Sequence, residues 1–372
     1  MQYKSFRDTG IELSCLGMGN MRFPTVDGKF SGKIDRGPST EILRHAMAGG
    51  INYYDTAYVY HDGESEEFLG VAMKEWPRES FYLATKYNCM AGDGHVNVFR
   101  EQLERLQTDY IDFYLIHGVG DGNIDKYLDC GCVDFFAEKK AEGAIKYLGF
   151  SFHGSPACLK RMLDVRDWDF VQIELNYFDW LYGEEREQYE ILSERGIPIV
   201  IMEPLRGGKL AALTPEAEAI LKEAHPDWTI PSWGFRFLRS LPGIQVILSG
   251  MSAVEQMDGN LATFADDAPF TDADRETLFK ACDLFKSQIT VPCTACNYCG
   301  PNCPVQIEIP TIMSLYNEYK AKPANGVPFI DRSGERGRFT ECVGCRSCEQ
   351  HCPQGIAIPD VMSELQAVLA KL

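Results

Sequence analysis

Apolar runs of five to seven residues recur along the first three quarters of the chain, separated by longer stretches with apolar positions at helical spacing. The runs are Cys15–Gly19, Ile51–Asp55, Phe81–Lys86, Ile111–His117, Ile145–Ser151, Phe170–Leu175, Ile197–Met202 and Ile244–Ser249. FYLATK, IDFYLIH and IPIVIM are apolar on both faces, which suits parallel strands covered on both sides. The intervening segments Glu64–Lys74 and Val96–Leu106 read as amphipathic helices. Eight such strand–helix repeats predict a (β/α)8 TIM barrel. An open doubly wound sheet is the alternative, but no G-x-G-x-x-G follows the first strand. The opening Tyr3–Leu13, around Thr9-Gly10, reads as a hairpin placed before the barrel.

After residue 287 the pattern changes. Residues 288–372 repeat themselves at an offset of 49: Cys293, Cys296, Cys299 and Cys303 match Cys342, Cys345, Cys348 and Cys352. The repeat runs on through Pro304/Pro353, Ile307/Ile356, Ile309/Ile358, Pro310/Pro359 and Met313/Met362. Pro310 and Pro359 mark the starts of two helices, expected over Thr311–Lys320 and Asp360–Leu369. The expected division is a barrel over 1–287 and a smaller, mainly α-helical domain over 288–372.

Composition separates the regions further. The chain of 372 residues holds 36 basic and 54 acidic residues, a formal charge of −18. Only −1 of this falls on 288–372, with 7 basic and 8 acidic residues. An acidic surface repels phosphate backbones, which argues against a nucleic-acid partner. MQYKSFRDTG has no apolar core of a secretory signal, and no run approaches the ~20 apolar residues of a spanning helix. A cytoplasmic location without a membrane partner is therefore expected. In that setting clustered cysteines bind metal or do chemistry more often than they form disulfides.

Each half of the repeat reads C-x2-C-x2-C-x3-C-P, the run of two-cluster bacterial ferredoxins. That pattern implies crossed ligation of two [4Fe-4S] clusters: Cys293, Cys296, Cys299 and Cys352 around one, and Cys342, Cys345, Cys348 and Cys303 around the other. Zinc is the alternative, but it usually takes separated C-x2-C pairs. With 38 residues between Cys303 and Cys342, the segment resembles the α-helical ferredoxins of fumarate-reductase-type subunits. Of the other six cysteines, Cys15, Cys89, Cys158 and Cys282 are isolated, and Cys130 and Cys132 form a C-x-C with no further ligand nearby in sequence.

Active sites of such barrels lie where strands end. Asp55, Lys86 and His117 close the second, third and fourth runs, and Tyr60 follows Asp55 in DTAYVY. These residues, with RLQTDYIDFYLIH and GESEEFLG, resemble the aldo/keto reductase superfamily from residue 1 to about 265. The resemblance implies an Asp55–Tyr60–Lys86–His117 tetrad that interconverts a small-molecule carbonyl and alcohol. In it Tyr60 donates a proton as hydride arrives, and His117 orients the substrate. A phenol has pKa ≈ 10, so Lys86, held charged by Asp55, is expected to draw it down.

The resemblance also implies a nicotinamide dinucleotide across the barrel mouth. It would be held by Ser151, Gln172, Met202, the EPLRGGKL loop with Leu205, Gly207 and Leu210, and the final segment with Gly250, Ser252, Gln256 and Asn260. Phe152 stands where the family often has asparagine, and Met202 where an aromatic residue often stacks on the nicotinamide. Gln256 replaces the cation that NADPH-specific members place on the 2′-phosphate. With no basic residue between Gln245 and Asn260, NADPH preference is unsupported, and NADH or a flavin stays open. His153 and Trp180 also follow strand ends, as rim packing or as substrate contacts. A hydride carries two electrons and a cluster passes one, which leaves three readings. The clusters are structural beside a conventional reductase, or they relay electrons between the barrel and a redox protein partner, or the barrel is a non-catalytic binding module.

Overall fold

The computed structural model describes residues 1–28, 32–287, 291–321 and 338–369. The boundary expected at 287/288 abuts residues outside this set. The described chain divides into two compact units, Met1–Pro204 with Pro231–Thr271, and Leu205–Ile230 with Asp272–Leu372. The second unit thus takes in the loop after the seventh barrel strand and the helix Asp272–Lys286.

In the first unit, β1 (Tyr3–Ser5) and β2 (Glu12–Ser14) form an antiparallel hairpin with Tyr3 opposite Ser14. Eight parallel strands follow: β3 (Leu16–Gly19), β4 (Tyr53–Asp55), β5 (Tyr82–Tyr87), β6 (Ile111–Val119), β7 (Ile145–Phe152), β8 (Phe170–Glu174), β9 (Ile199–Met202) and β10 (Ile244–Ser249). Each pairs with the next, and β10 closes on β3. All eight expected runs are therefore strands of one closed barrel, and the doubly wound alternative falls.

The helices between them form as the spacing requires. Gly94–Leu106 buries Val98, Phe99, Gln102 and Leu106 on one face, and Glu64–Ala72 begins with Glu64, Glu66 and Glu67 where the helix dipole favours acids. Phe6, at the hairpin turn, packs edge-on against Phe113 and Tyr147 at 5.2 and 4.8 Å. With Leu13, Tyr53, Phe170, Val200 and Val246 it fills the floor of the barrel. The hairpin side is thus sealed by apolar side chains, and polar groups gather at the carboxyl ends of the strands.

In the second unit, helix Pro215–Ala224 packs on Asp272–Lys286, and His225 Nε2 lies 2.7 Å from Asp274 Oδ1. The cysteine segment carries helices Ile309–Ala321 and Ile358–Leu369 over a core of Ile312, Met313, Tyr316, Phe339, Met362 and Leu365. The sequence repeat is also a backbone repeat. Positive φ recurs at Ala295 and Gly344, at Asn297 and Arg346, and at Gln306 and Gly355, each pair separated by the same offset of 49.

Candidate active site and cysteine centres

Asp55 ends β4, Lys86 and His117 lie near the ends of β5 and β6, and Tyr60 opens the short turn Tyr60–Gly63. Parallel register places these ends side by side, and the four side chains converge. Lys86 Nζ donates to Asp55 Oδ1 at 2.6 Å, to the Thr56 carbonyl at 2.7 Å and to the Tyr60 hydroxyl at 3.4 Å. All three ammonium protons therefore have an acceptor. The ring of Tyr60 stands edge-on to His117 with centroids 5.8 Å apart.

Burial governs the electrostatics. It pushes the Asp55 carboxyl up and the Lys86 ammonium down, and each partner opposes the other's shift. The 2.6 Å contact holds them as an ion pair. Tyr60 departs from the sequence expectation. Its phenol is raised well above 10, first by burial and then by the Asp55 and Glu203 carboxylates. Loss of hydration outweighs the lysine's pull, so the resting side chain is a protonated phenol, the form a proton donor needs. His117 is pushed well below 6.5 by burial, then by Lys86 and His153, so its imidazole is neutral. Its buried Nδ1 has no hydrogen-bond partner among the described residues.

Backbone details position His117. The β6–β7 register shifts between Ile116 and Val119, and Gly118 sits at φ 63°, a conformation that glycine adopts without a Cβ penalty. Its N–H donates to Ser151 Oγ at 2.7 Å, which ties the bulge to β7. The Tyr127 hydroxyl donates to the His117 carbonyl.

The expected cofactor residues separate into groups. Ser151 and Gln172 are register partners on β7 and β8, and Gln172 Nε2 donates to Met202 Sδ at 3.4 Å. Gln172 Oε1 is buried without a hydrogen-bond partner among the described residues. Gln256 Oε1 accepts from the Ser252 N–H at 2.9 Å, and Asn260 Nδ2 donates to Ser249 Oγ at 3.1 Å. Leu205, Gly207 and Leu210 belong to the second unit. Leu210 is buried there, and Gly207 has φ 63°.

Two residues escaped the sequence. Asn20, just past the end of β3, is buried and donates to the Asp55 carbonyl at 2.9 Å. The strand-end criterion that found the other four would have found it. Arg22 lies against Gly250, where a Cβ would come within 3.2 Å of its Cδ, and 3.9 Å from Glu203. A cation thus stands beside the final strand end, although the local sequence there has none. His153 lies 3.5 Å from Glu174 and acts on His117, whereas Trp180 packs against Tyr189 and Phe237.

In the cysteine segment, Cys293, Cys296, Cys299 and Cys352 line one cavity, with Ile309, Met313 and Ile356. Cys303, Cys342, Cys345 and Cys348 line a second, with Val305, Ile307 and Met362. Each cavity draws three cysteines from one run and the fourth from the other. Among the described residues no three His, Cys, Asp or Glu side chains converge as around a single ion; these cysteines ring a volume instead. Burial pushes the Cys299 thiol up to about 12, helped by Cys296, Cys293 and Cys352. Burial likewise pushes Cys348 up to about 11, helped by Cys342 and Cys345. The Ala295 and Ile307 N–H groups donate to Cys293 and Cys303 Sγ at 3.4 Å each. Apolar walls, four thiols per cavity and amide donors to sulfur fit [4Fe-4S] clusters, which would supply one-electron chemistry when bound.

A second-unit loop reaches the first cavity. Arg206 donates to Gln354 Oε1 at 2.5 Å, and Gln354 lines that cavity. Lys209 Nζ is 3.5 Å from Ser314 Oγ. Burial raises the Cys293 thiol, while the Ala295 N–H, Lys209 and Arg206 oppose the rise.

A closed parallel barrel bearing these strand-end groups, in one chain with two four-cysteine cavities, defines an oxidoreductase that combines a barrel with an iron–sulfur unit. The aldo/keto reductase family model matches residues 15–281, and the 4Fe-4S dicluster domain model matches residues 292–357. The chain belongs to the aldo/keto reductase family and carries a C-terminal 4Fe-4S dicluster domain. Similar proteins include an uncharacterized oxidoreductase of Bacillus subtilis (strain 168), YqkF, 26% identical over 295 residues that cover 70% of this chain and 90% of YqkF. L-galactose dehydrogenase of Arabidopsis thaliana is 24% identical, over 72% of this chain and 89% of its own. Among solved structures, the holo form of the aldo-keto reductase AKR11C1 from Bacillus halodurans superposes with a TM-score of 0.63 at 25% identity, covering 76% of this chain and 96% of that one. No helix among the described residues is long and apolar enough to cross a membrane.

Proposed function

We propose that the barrel reduces a small-molecule carbonyl with hydride from a nicotinamide cofactor, Tyr60 donating the proton. The observation that carries this is the triply bonded Lys86, buried between Asp55 and Tyr60. In this reading Asp55 and Thr56 fix the ammonium, which steadies charge as the phenol gives up its proton. The neutral His117 donates a hydrogen bond to the carbonyl oxygen. Ser151, Gln172 and Met202 hold the nicotinamide end, with the unpartnered Gln172 Oε1 accepting from its carboxamide. Gly250, Ser252, Gln256 and Asn260 hold the adenosine end, and Arg22 supplies positive charge beside Gly250. That gives a dinucleotide an anion contact without the 2′-phosphate cation sought near Gln256.

The test is carbonyl-dependent oxidation of NADH and NADPH across a panel of small aldehydes and ketones. Tyr60→Phe should lower turnover 10²–10⁴-fold, the usual contribution of a positioned acid, with iron content unchanged. A fully active Tyr60→Phe protein sinks the assignment.

One observation favours a second reading, in which the barrel draws single electrons through the clusters, with or without a flavin. Arg206 and Lys209, in the loop the family resemblance gives to the pyrophosphate, bond to Gln354 and Ser314 of the cysteine segment. Acid extraction separates the readings, because a stoichiometric flavin supports the second.

A further inference from the structure

We propose that Cys130 and Cys132 form a dithiol–disulfide site that reacts reversibly with small-molecule disulfides. The proposal stands apart from the tetrad chemistry and from the cluster ligation, neither of which uses these two C-x-C cysteines.

The residue between them makes the pair possible. An extended Cys-x-Cys separates its Cα atoms by about 7 Å, just outside the ~4.4–6.8 Å that a bridge usually spans. Here the chain turns instead. Cys130 ends the helix Ile124–Asp129 with helical backbone angles, and Gly131 then takes φ 77° and ψ 4° before the helix Cys132–Ala141. Glycine holds that left-handed conformation without a Cβ penalty.

The turn brings both sulfurs to one acceptor. Cys130 Sγ donates to the Tyr127 carbonyl at 3.5 Å, and Cys132 Sγ donates to the same oxygen at 3.4 Å. Tyr127 is buried and its hydroxyl donates to the His117 carbonyl, so the shared acceptor is held in place. The two thiols are thus gathered before any reaction. They differ in access, because Cys130 is exposed and Cys132 is buried. Burial also pushes the Cys132 thiol up, which leaves the first attack to Cys130. Among the described residues no three His, Cys, Asp or Glu side chains converge as around a single ion, so the geometry offers a dithiol rather than a metal site.

The exchange balances with the small disulfide, RSSR, as the oxidant. Cys130 loses its proton and attacks one sulfur of RSSR. The S–S bond breaks, a mixed disulfide forms on Cys130, and the first RSH leaves with that proton. Cys132 then attacks the Cys130 sulfur and expels the second RSH, which carries off the Cys132 proton. The protein gives up two hydrogens and two electrons, and RSSR takes them up as two RSH. A bridge closed across a single glycine makes a small ring, and strained or exposed disulfides are the labile ones. Excess thiol therefore reopens it.

The test treats anaerobically purified full-length protein with glutathione disulfide, quenches in acid, alkylates free thiols with iodoacetamide and weighs the tryptic peptides. Cys130 and Cys132 share the peptide Tyr127–Lys139 with no other cysteine, and Cys89 falls on Tyr87–Arg100. In wild type, Tyr127–Lys139 should turn from a doubly alkylated peptide into an unalkylated one, lighter than the dithiol by two hydrogens. Excess reduced glutathione should return it to the doubly alkylated form. Cys132→Ser should stop at the mixed disulfide, with one glutathione on Cys130. Cys130→Ser, a change at an exposed position, should give neither bridge nor mixed disulfide, and remains a test if Cys132→Ser does not fold. The proposal is overturned if the wild-type peptide stays a dithiol, or if glutathione remains on Cys130 without a bridge closing. It is also overturned if reduced glutathione does not reopen the bridge, if Cys130→Ser takes glutathione onto Cys132, or if Cys130 is joined instead to Cys89, which would link the two peptides.

Discussion

Lys86→Met removes the cation from a carboxylate that has no other side-chain partner among the described residues. Asp55 Oδ1 accepts from Lys86 at 2.6 Å, and Oδ2 is buried without a hydrogen bond. Both side chains are almost fully buried. An unpaired Asp55 will take up a proton rather than remain charged, so the cost of protonating it caps the penalty. From a reference pKa of about 3.9, that cost at pH 7 is about 3.1 × 1.36, or about 4.2 kcal/mol. This matches the ~3–5 kcal/mol expected for breaking a buried pair. The cap is about 2.9 kcal/mol at pH 6 and about 5.6 at pH 8 by the same arithmetic. The sign follows from linkage. In the variant, Asp55 has a folded pKa raised above its unfolded value, so between the two the native state binds more protons and stability falls as pH rises. Asp55→Asn inverts the slope. Lys86 is then left with a depressed folded pKa, the unfolded state binds more protons, and stability rises with pH. The double variant carries neither buried charge and should cost less than either single change. Urea midpoints by far-UV circular dichroism, taken anaerobically at pH 6, 7 and 8 with a common slope, measure all four proteins. A Lys86→Met penalty that is the same at pH 6 and pH 8, or single variants that share one pH slope, would refute the buried-pair account.

Because burial keeps His117 neutral far below its ordinary pKa, kcat/KM for carbonyl reduction should stay level from pH 8 to pH 6. A titration centred near 6.5 would show a solvated imidazole instead. Gly118→Ala places a Cβ at φ 63° and should cost about 1–2 kcal/mol, seen as a thermal midpoint lower by several degrees. It should also cut activity by displacing the His117 bulge, and an unchanged midpoint would discount the positive φ. Crossed ligation predicts that Cys352→Ser and Cys293→Ser perturb the same resonance signal, although they lie in different halves of the repeat. Perturbation of different signals would assign each run to its own cluster.

The barrel was legible because each strand is a short apolar run bounded by a helix, and both periods are local properties of the chain. The expected end of the third run, Lys86, lies within one residue of the end of β5, and that of the last, Ser249, coincides with the end of β10. Polar residues at those ends, Asp55, Lys86 and His117, were legible for the same reason, and with Tyr60 they converge in the structure. What stayed hidden depends on closure. Arg22 meets Gly250 because β3 pairs with β10, so a search for a cation along the last segment could not find it. Arg206 meets Gln354 across 148 positions, and no periodicity reports such a contact. The hairpin turn gave no sign that Phe6 seals the barrel floor.

Tyr60 marks a different limit, one of energetics rather than of contact. Sequence places a cation beside a phenol, and Coulomb attraction alone then predicts an acidic tyrosine. The fold adds two facts: the phenol is buried, and Asp55 and Glu203 act on it with the opposite sign. Removing a phenolate from water costs more than one hydrogen-bonded ammonium at 3.4 Å returns. The direction of the shift therefore reverses, and the chemistry follows. A protonated phenol can give a proton to a carbonyl oxygen at once, whereas alcohol oxidation needs the phenolate as base. If Tyr60 is the proton donor, the site is poised for reduction at neutral pH, and the oxidative direction should gain with rising pH as the phenolate is populated. If alcohol oxidation instead proves independent of pH between 7 and 10 while reduction falls, Tyr60 is ionised at rest and the Lys86 ammonium outweighs burial.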